Sequence, residues 1–206
     1  RDTEGIAASD FLVTYTCDVR PTPEQQDALA AYIEGGGRWM ALHGTNSALD
    51  FVEDGVAAPR DAFPKFAEVL GSQFVAHPPI QPFKVETRAP DHPLVKGVGE
   101  FETDDELYLC EYHDFDKLEV LLDCHFDGTA DGFIEADWSD ADRHLVMYLR
   151  PYGQGTVLYN TLGHCRGHWD MRPAMDYFPG LERGSWEKPE YYELLRRGIR
   201  WCLREL

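Results

Sequence analysis

Three histidines stand where apolar runs of the chain end and one glutamate where such a run begins, and their types suit either metal ligation or proton transfer. His43 closes "RWMALHGTN" and is followed by Gly44, Thr45 and Asn46, small and polar residues that let backbone approach a ligand. His164 repeats that arrangement in "YNTLGHCRGHWDM", after an apolar run and a glycine. Glu106 opens "ELYL", where alternation sets Glu106 and Tyr108 on one strand face and Leu107 and Leu109 on the other. His77, in "FVAHPP", is either a fourth polar group at the same cleft or a turn residue fixed by two prolines. An imidazole at a strand end can also serve only to hydrogen-bond a loop carbonyl, so residue type alone leaves both readings open for His43.

If they converge, His43, Glu106 and His164 make an N/N/O set that suits zinc, manganese or a similar divalent ion and leaves positions open for water or substrate. The same groups without an ion would make a general acid–base pair. Neither chemistry calls for a nucleotide cofactor. Asn46, His77, Tyr108, Glu111 and Trp169 are the candidates for holding a substrate beside them, Glu111 being the weaker group on the Glu106 strand. His168 follows His164 by four residues, but Gly167 between them favours a loop over the helix that would align both rings, so His168 and Trp169 read as rim or packing groups. Asp104 and Asp105 read as a solvated acidic turn, His92 as a turn-shaping residue, and His113, His125 and His144 as structural or exposed.

The elements that must carry these residues alternate strand and helix at the start. "DFLVTYTC" is a short β-rich run. Thr22, Pro23 and Gln25 supply a capping-box start to a helix striped by Leu29, Tyr32 and Ile33, and Gly35 to Gly37 supply its stop. "RWMAL" is the next strand. Strand, helix and strand within about 35 residues is a βαβ crossover and predicts parallel strands. "DAFPKFAEVLG" carries a helix with Phe63, Phe66 and Leu70 inward. "PFKVET", "ELYLCEY" and "EVLLDC" read as strands, and "HLVMYLRPYGQGTVLYNTLG" as two strands joined at "PYGQG". The last segment, "KPEYYELLRRGIRWCLREL", is an amphipathic helix with Tyr191, Leu194, Leu195, Ile199 and Cys202 on one side. Without repeats or linkers, residues 1–206 read as one α/β domain.

Composition narrows the function class. The chain carries 19 Lys and Arg against 37 Asp and Glu, a net charge of −18, with no segregated basic patch. That balance repels phosphate backbones and anionic lipid, which argues against nucleic-acid and membrane partners and favours a neutral or cationic small molecule or a metal ion. No apolar run is long enough to cross a bilayer. The five cysteines are odd in number, widely spaced and mostly within apolar runs, which points to free thiols in a reducing, cytoplasmic setting.

"YIEGGGRWMALHG", "FVAHPP", "HPLVKGVGEFETDDELY", "YGQGTVLYNTLGH" and "LLRRGIRWCL" occur in that order. Together they closely resemble the trehalose-utilisation ThuA-like domain, of the glutamine amidotransferase-like superfamily, from about residue 10 to the C-terminus. The resemblance implies a flavodoxin-like, class I glutamine amidotransferase-like α/β sandwich with a mostly parallel central sheet and antiparallel additions. Family members usually begin with another strand and helix, which the chain as it stands lacks ahead of "DFLVTYTC". The wider superfamily's nucleophilic cysteine sits at the elbow where this chain has His43, and Cys165 follows a different strand, so cysteine-dependent amidotransfer is not expected. The resemblance favours His43, Glu106 and His164 as site residues. It implies a carbohydrate-metabolism enzyme acting on a disaccharide or its 3-keto derivative by isomerisation, elimination or hydrolysis. The alternative is a non-catalytic sugar-binding or accessory module in which Trp138, Trp169 and Trp186 stack on sugar faces. The partner is then a small carbohydrate, with homo-oligomerisation left open.

Overall fold

A computed structural model describes residues 3–139, 143–172 and 175–206. Strand β1 (Leu12–Tyr15) leads through helix α1 (Pro23–Glu34) to β2 (Arg38–Leu42), and the two strands run parallel with Leu12 opposite Trp39. The capping box forms as expected: the Thr22 hydroxyl accepts the Gln25 amide while the Gln25 side chain accepts the Thr22 N–H. The left-handed turn that follows α1 falls on Gly36, at φ 103°, one residue past the cap.

Five further strands complete a mixed sheet: β3 (Phe83–Thr87), β4 (Phe101–Thr103), β5 (Glu119–Cys124), β6 (His144–Tyr152) and β7 (Gly155–Asn160). Their order is β1-β2-β7-β6-β5-β3-β4. Only the β1–β2 and β2–β7 ladders of this sheet are parallel; every ladder from β7 to β4 is antiparallel. The expectation of a mostly parallel sheet is therefore corrected. One ladder has a local cause, a tight turn at Gly153, with φ 59°, that reverses the chain between β6 and β7; the other three follow from which neighbour each strand meets.

Both faces of β2 are buried. Trp39 and Ala41 pack with Leu29, Ala30 and Ile33 of α1, whereas Met40 and Leu42 pack with Tyr191, Leu194, Trp201 and Cys202 of helix α3 (Pro189–Cys202). The α3 seam differs from the expected one. Tyr191, Leu194, Gly198, Trp201 and Cys202 face the sheet, Leu195 is partly buried, and Ile199 is 45% exposed. A Cβ on Gly198 would lie 2.5 Å from Met40 Cε, so the smallest residue marks the closest approach and sets the rotation of the helix. Helix α2 (Pro64–Leu70) ends at left-handed Gly71 and buries Ala67, Val69 and Leu70, with Phe66 half-buried against Trp39.

Outside this sheet, Ser72–Ala76 pairs antiparallel with Leu109–Tyr112. That ladder brings the segment after Ala76 beside the segment before Leu109, which is how His77 and Glu106 meet. No described helix is long and apolar enough to cross a membrane.

Candidate active site

β2 and β7 are parallel neighbours, so their carboxyl ends lie on the same edge of the sheet, where open α/β sheets bind ligands. His43 is the first residue beyond β2, and His164 stands four residues beyond β7. His43 takes up φ 44°, left-handed backbone that a branched or bulky residue rarely adopts. Tyr159 of β7 supports the bend from below, its hydroxyl 2.6 Å from both the His43 carbonyl and Asn46 Oδ1. Gly44 follows because a Cβ there would sit 2.7 Å from the Thr16 carbonyl. The elbow thus lifts an imidazole off the sheet edge.

Three imidazoles converge on one carboxylate. Glu106 Oε2 is 3.5 Å from His43 Nε2 and 3.4 Å from His164 Nδ1, and Oε1 is 3.3 Å from His77 Nε2. One ligand atom each from His43, Glu106 and His164 lies within 4.8 Å of the others. All three residues are buried, His77 less so. The outer nitrogen of every ring is already engaged. His43 Nδ1 lies 2.9 Å from the Thr161 carbonyl, His77 Nδ1 2.8 Å from the Pro78 carbonyl and His164 Nε2 2.8 Å from Glu182 Oε2. Carbonyls and carboxylates only accept, so each outer nitrogen carries a proton, and each inner nitrogen faces Glu106 either as a lone pair or, in the cationic ring, as a second N–H.

Acceptors facing an ionised carboxylate repel it unless a cation lies between them, and that cation is either a proton or a metal ion. The donor set fits a metal. Imidazoles whose far N–H is held by a carbonyl or carboxylate are the arrangement metal-binding histidines adopt. Bonds of about 2.0–2.2 Å in a tetrahedron separate donor atoms by roughly 3.3–3.5 Å, close to the 3.5 and 3.4 Å from Glu106 Oε2 to His43 Nε2 and His164 Nδ1.

Neighbouring groups tune the charges. Burial alone would raise the pKa of Glu106, but hydrogen bonds to His164 and His43 and the charges of His77 and His164 hold it well below the usual carboxylate range. For His164 burial disfavours the cation, yet the hydrogen bond and charge of Glu106 and the contact with Glu182 outweigh it and raise the pKa. Tyr108 is fully buried, which pushes its phenol well above the ordinary value, so it stays a proton donor 3.4 Å from His43 Nε2. Arg166 bridges the carboxylates, with Nη1 2.8 Å from Glu182 Oε2 and Nη2 3.5 Å from Glu106 Oε1.

The structure therefore brings His43, Glu106, His164, His77 and Tyr108 together. Asn46 lies beneath the elbow, its amide committed to Ser72, Cys110 and Tyr159. Glu111 is exposed on the strand leading away. Trp169 is 59% exposed in a ring group with His168 and Tyr177. Trp186 is half-buried, donating to the Gly163 carbonyl.

Arg166, Glu182 and Tyr15, whose ring stacks on His43 with centroids 6.2 Å apart, escaped the sequence reading. Arg166 had a signal, since it lies two residues past His164; Glu182 and Tyr15 arrive from distant segments and had none. Asp105 requires a correction. It is fully buried rather than a solvated turn residue, while Asp104 is exposed as expected.

Comparison with known proteins agrees with the fold. A family described as trehalose utilisation, ThuA, matches residues 2–180. A ThuA-like protein of Bacteroides uniformis ATCC 8492 superposes with a TM-score of 0.66 at 17% identity, over 97% of this chain and 71% of that one. One from Parabacteroides merdae ATCC 43184 gives 0.56 at 16% identity, over 98% and 74%. The β-galactosidase of Rahnella sp. R3 gives 0.51 at 13% identity, with 94% of this chain matching 23% of that enzyme. At these identities the likeness is one of fold. No curated protein matches the sequence.

Proposed function

Because the chain belongs to the trehalose-utilisation ThuA family, with its carbohydrate-related role, we propose that it is an enzyme acting on a disaccharide or its 3-keto derivative at the His43–Glu106–His164 cluster. The observation that carries this reading is the convergence of three imidazole nitrogens on one buried carboxylate. His43, Glu106 and His164 would hold a divalent ion, zinc or manganese by donor type. Such an ion supplies Lewis acidity toward a sugar carbonyl or a bound water.

The chain's own groups do the rest. Glu182 and the Thr161 carbonyl fix the ring orientations of His164 and His43. His77, on the more open side of Glu106, would take a proton from carbon next to a ketone. Tyr108, with its hydroxyl 3.4 Å from His43 Nε2, would donate a hydrogen bond to developing negative charge. Proton removal beside a ketone leads to isomerisation or to elimination of the glycosidic oxygen.

The test combines elemental analysis of the untreated protein with turnover of 3-keto-disaccharides. We expect about one zinc or manganese per chain, lost in His43→Ala and Glu106→Gln, and turnover reduced by at least ~100-fold in both. Unchanged turnover in both variants would end the proposal. Sugar binding without turnover in the parent protein would favour an accessory module, a reading to which the exposed rings of Trp169 and Tyr177 lend support.

A further inference from the structure

We propose that Asp105 is the positioning residue of this site, fixing the backbone from which His164 and Glu106 project; this rests on the catalytic reading of the cluster. Its carboxylate is fully buried and each oxygen accepts two backbone N–H groups. Oδ1 takes those of Glu106 at 2.8 Å and His164 at 2.9 Å, and Oδ2 takes those of Gly163 at 2.9 Å and Ser185 at 2.8 Å. Those four amides belong to three separate segments: the turn before Leu109, the loop after β7, and the turn after Glu182. One side chain thus sets the distance between Glu106, His164 and the Glu182 segment.

The surrounding chain is shaped to this carboxylate. Gly184, at φ 46°, has no room for a side chain, since a Cβ would lie 2.8 Å from Asp105 Oδ2. The Gly163 carbonyl is held from the other side by Tyr15 Oη at 2.7 Å and Trp186 Nε1 at 2.8 Å, so Gly163 is clamped at both its N–H and its carbonyl. Thr103 Oγ1 pairs with Ser185 Oγ at 2.9 Å and steadies the third segment. Every lone-pair direction of Asp105 is spent on a backbone donor, so it does not itself reach substrate or ion. Its effect on chemistry passes through the placement of His164 Nδ1 and Glu106 Oε2.

Asp105→Asn keeps the shape but turns one acceptor oxygen into an NH₂ group facing two N–H donors. The experiment measures zinc and manganese affinity by calorimetry, amide hydrogen exchange and the His164 ring resonances in the whole chain. Asp104→Asn, one residue away and exposed, is the control. For Asp105→Asn we expect ~10–100-fold weaker metal binding, shifted His164 ring signals, and faster exchange at Gly163, His164 and Ser185, with β6 and β7 still protected. Gly184→Ala, which presses a methyl on the same oxygen, should move all three readouts in the same direction and keeps the question decidable if Asp105→Asn does not fold. Should the parent chain bind neither ion, the metal reading fails and the His164 ring signals alone decide on Asp105. Unmoved ring signals, with metal affinity within ~2-fold of the parent where the parent binds, would overturn the assignment.

Discussion

Each imidazole around Glu106 is told which nitrogen to present by a partner on its far side, so the cluster depends on groups that never touch Glu106 as well as on those that do. Glu182 is such a partner for His164, at 2.8 Å from Nε2. Glu182→Gln removes its charge and lets the amide offer either end to the ring, which frees the tautomer. Metal affinity should fall ~10–100-fold with the melting temperature nearly unchanged, as calorimetry and thermal unfolding would show. A second residue-scale test lies away from the site. The Arg150 guanidinium is buried, and its Nη2 meets Asp114 Oδ2 at 3.0 Å. The Lys117 ammonium and then Arg150 hold the Asp114 carboxyl below its ordinary pKa. A lowered folded pKa means stabilisation that is complete above the unfolded value, about 3.9, and lost as pH falls through the folded one. Asp114→Asn should therefore destabilise at neutral pH, and the gap to the parent should close in urea titrations carried out at progressively lower pH.

At the scale of elements, the sequence pattern read best where one local rule acts alone. Thr22 with Gln25 marks the start of α1, and the apolar runs ending in His43 and His164 give two strand ends. Alternation in "ELYL" still parts Leu107 and Leu109 from Tyr108, but the strand expected from Glu106 begins only at Leu109 and Glu106 lies in the turn ahead of it. It read worst where tertiary contact decides. The rotation of α3 follows from the fit of Gly198 against Met40, which periodicity cannot see. The directions of β3 to β6 depend on which neighbour each strand finds, and short apolar runs look alike in parallel and antiparallel ladders. Asp105 was misread because an acidic pair resembles a solvated turn until the amides of Gly163 and Ser185, from far along the chain, arrive to meet it. The α3 seam gives the element-scale prediction. Leu194→Ala, at a fully buried position, should cost ~2–5 kcal/mol in denaturant unfolding, whereas Ile199→Ala should cost under about 0.5 kcal/mol. Reversed costs would mean that the helix is rotated about its axis.

For the molecule as a whole, net charge separates the ligands that the site is proposed to take. A charge of −18 draws divalent cations toward the protein, repels anionic sugars and leaves neutral disaccharides unaffected. These long-range effects weaken as salt shortens the screening length, from roughly 20 Å near 0.02 M to about 7 Å at 0.2 M. Raising sodium chloride over that range should weaken zinc or manganese binding several-fold while changing the affinity for a neutral disaccharide by less than ~2-fold. A sugar phosphate should respond in the opposite sense to the metal and bind better as salt rises. Isothermal titration at two salt concentrations with these three ligands distinguishes the cases. A metal affinity indifferent to salt would mean that any ion binds by short-range ligation alone, shielded from the acidic surface. Neutral-sugar binding that tracks salt would mean that the substrate carries charge, and the disaccharide reading would give way to a cationic or anionic sugar according to the sign of the slope.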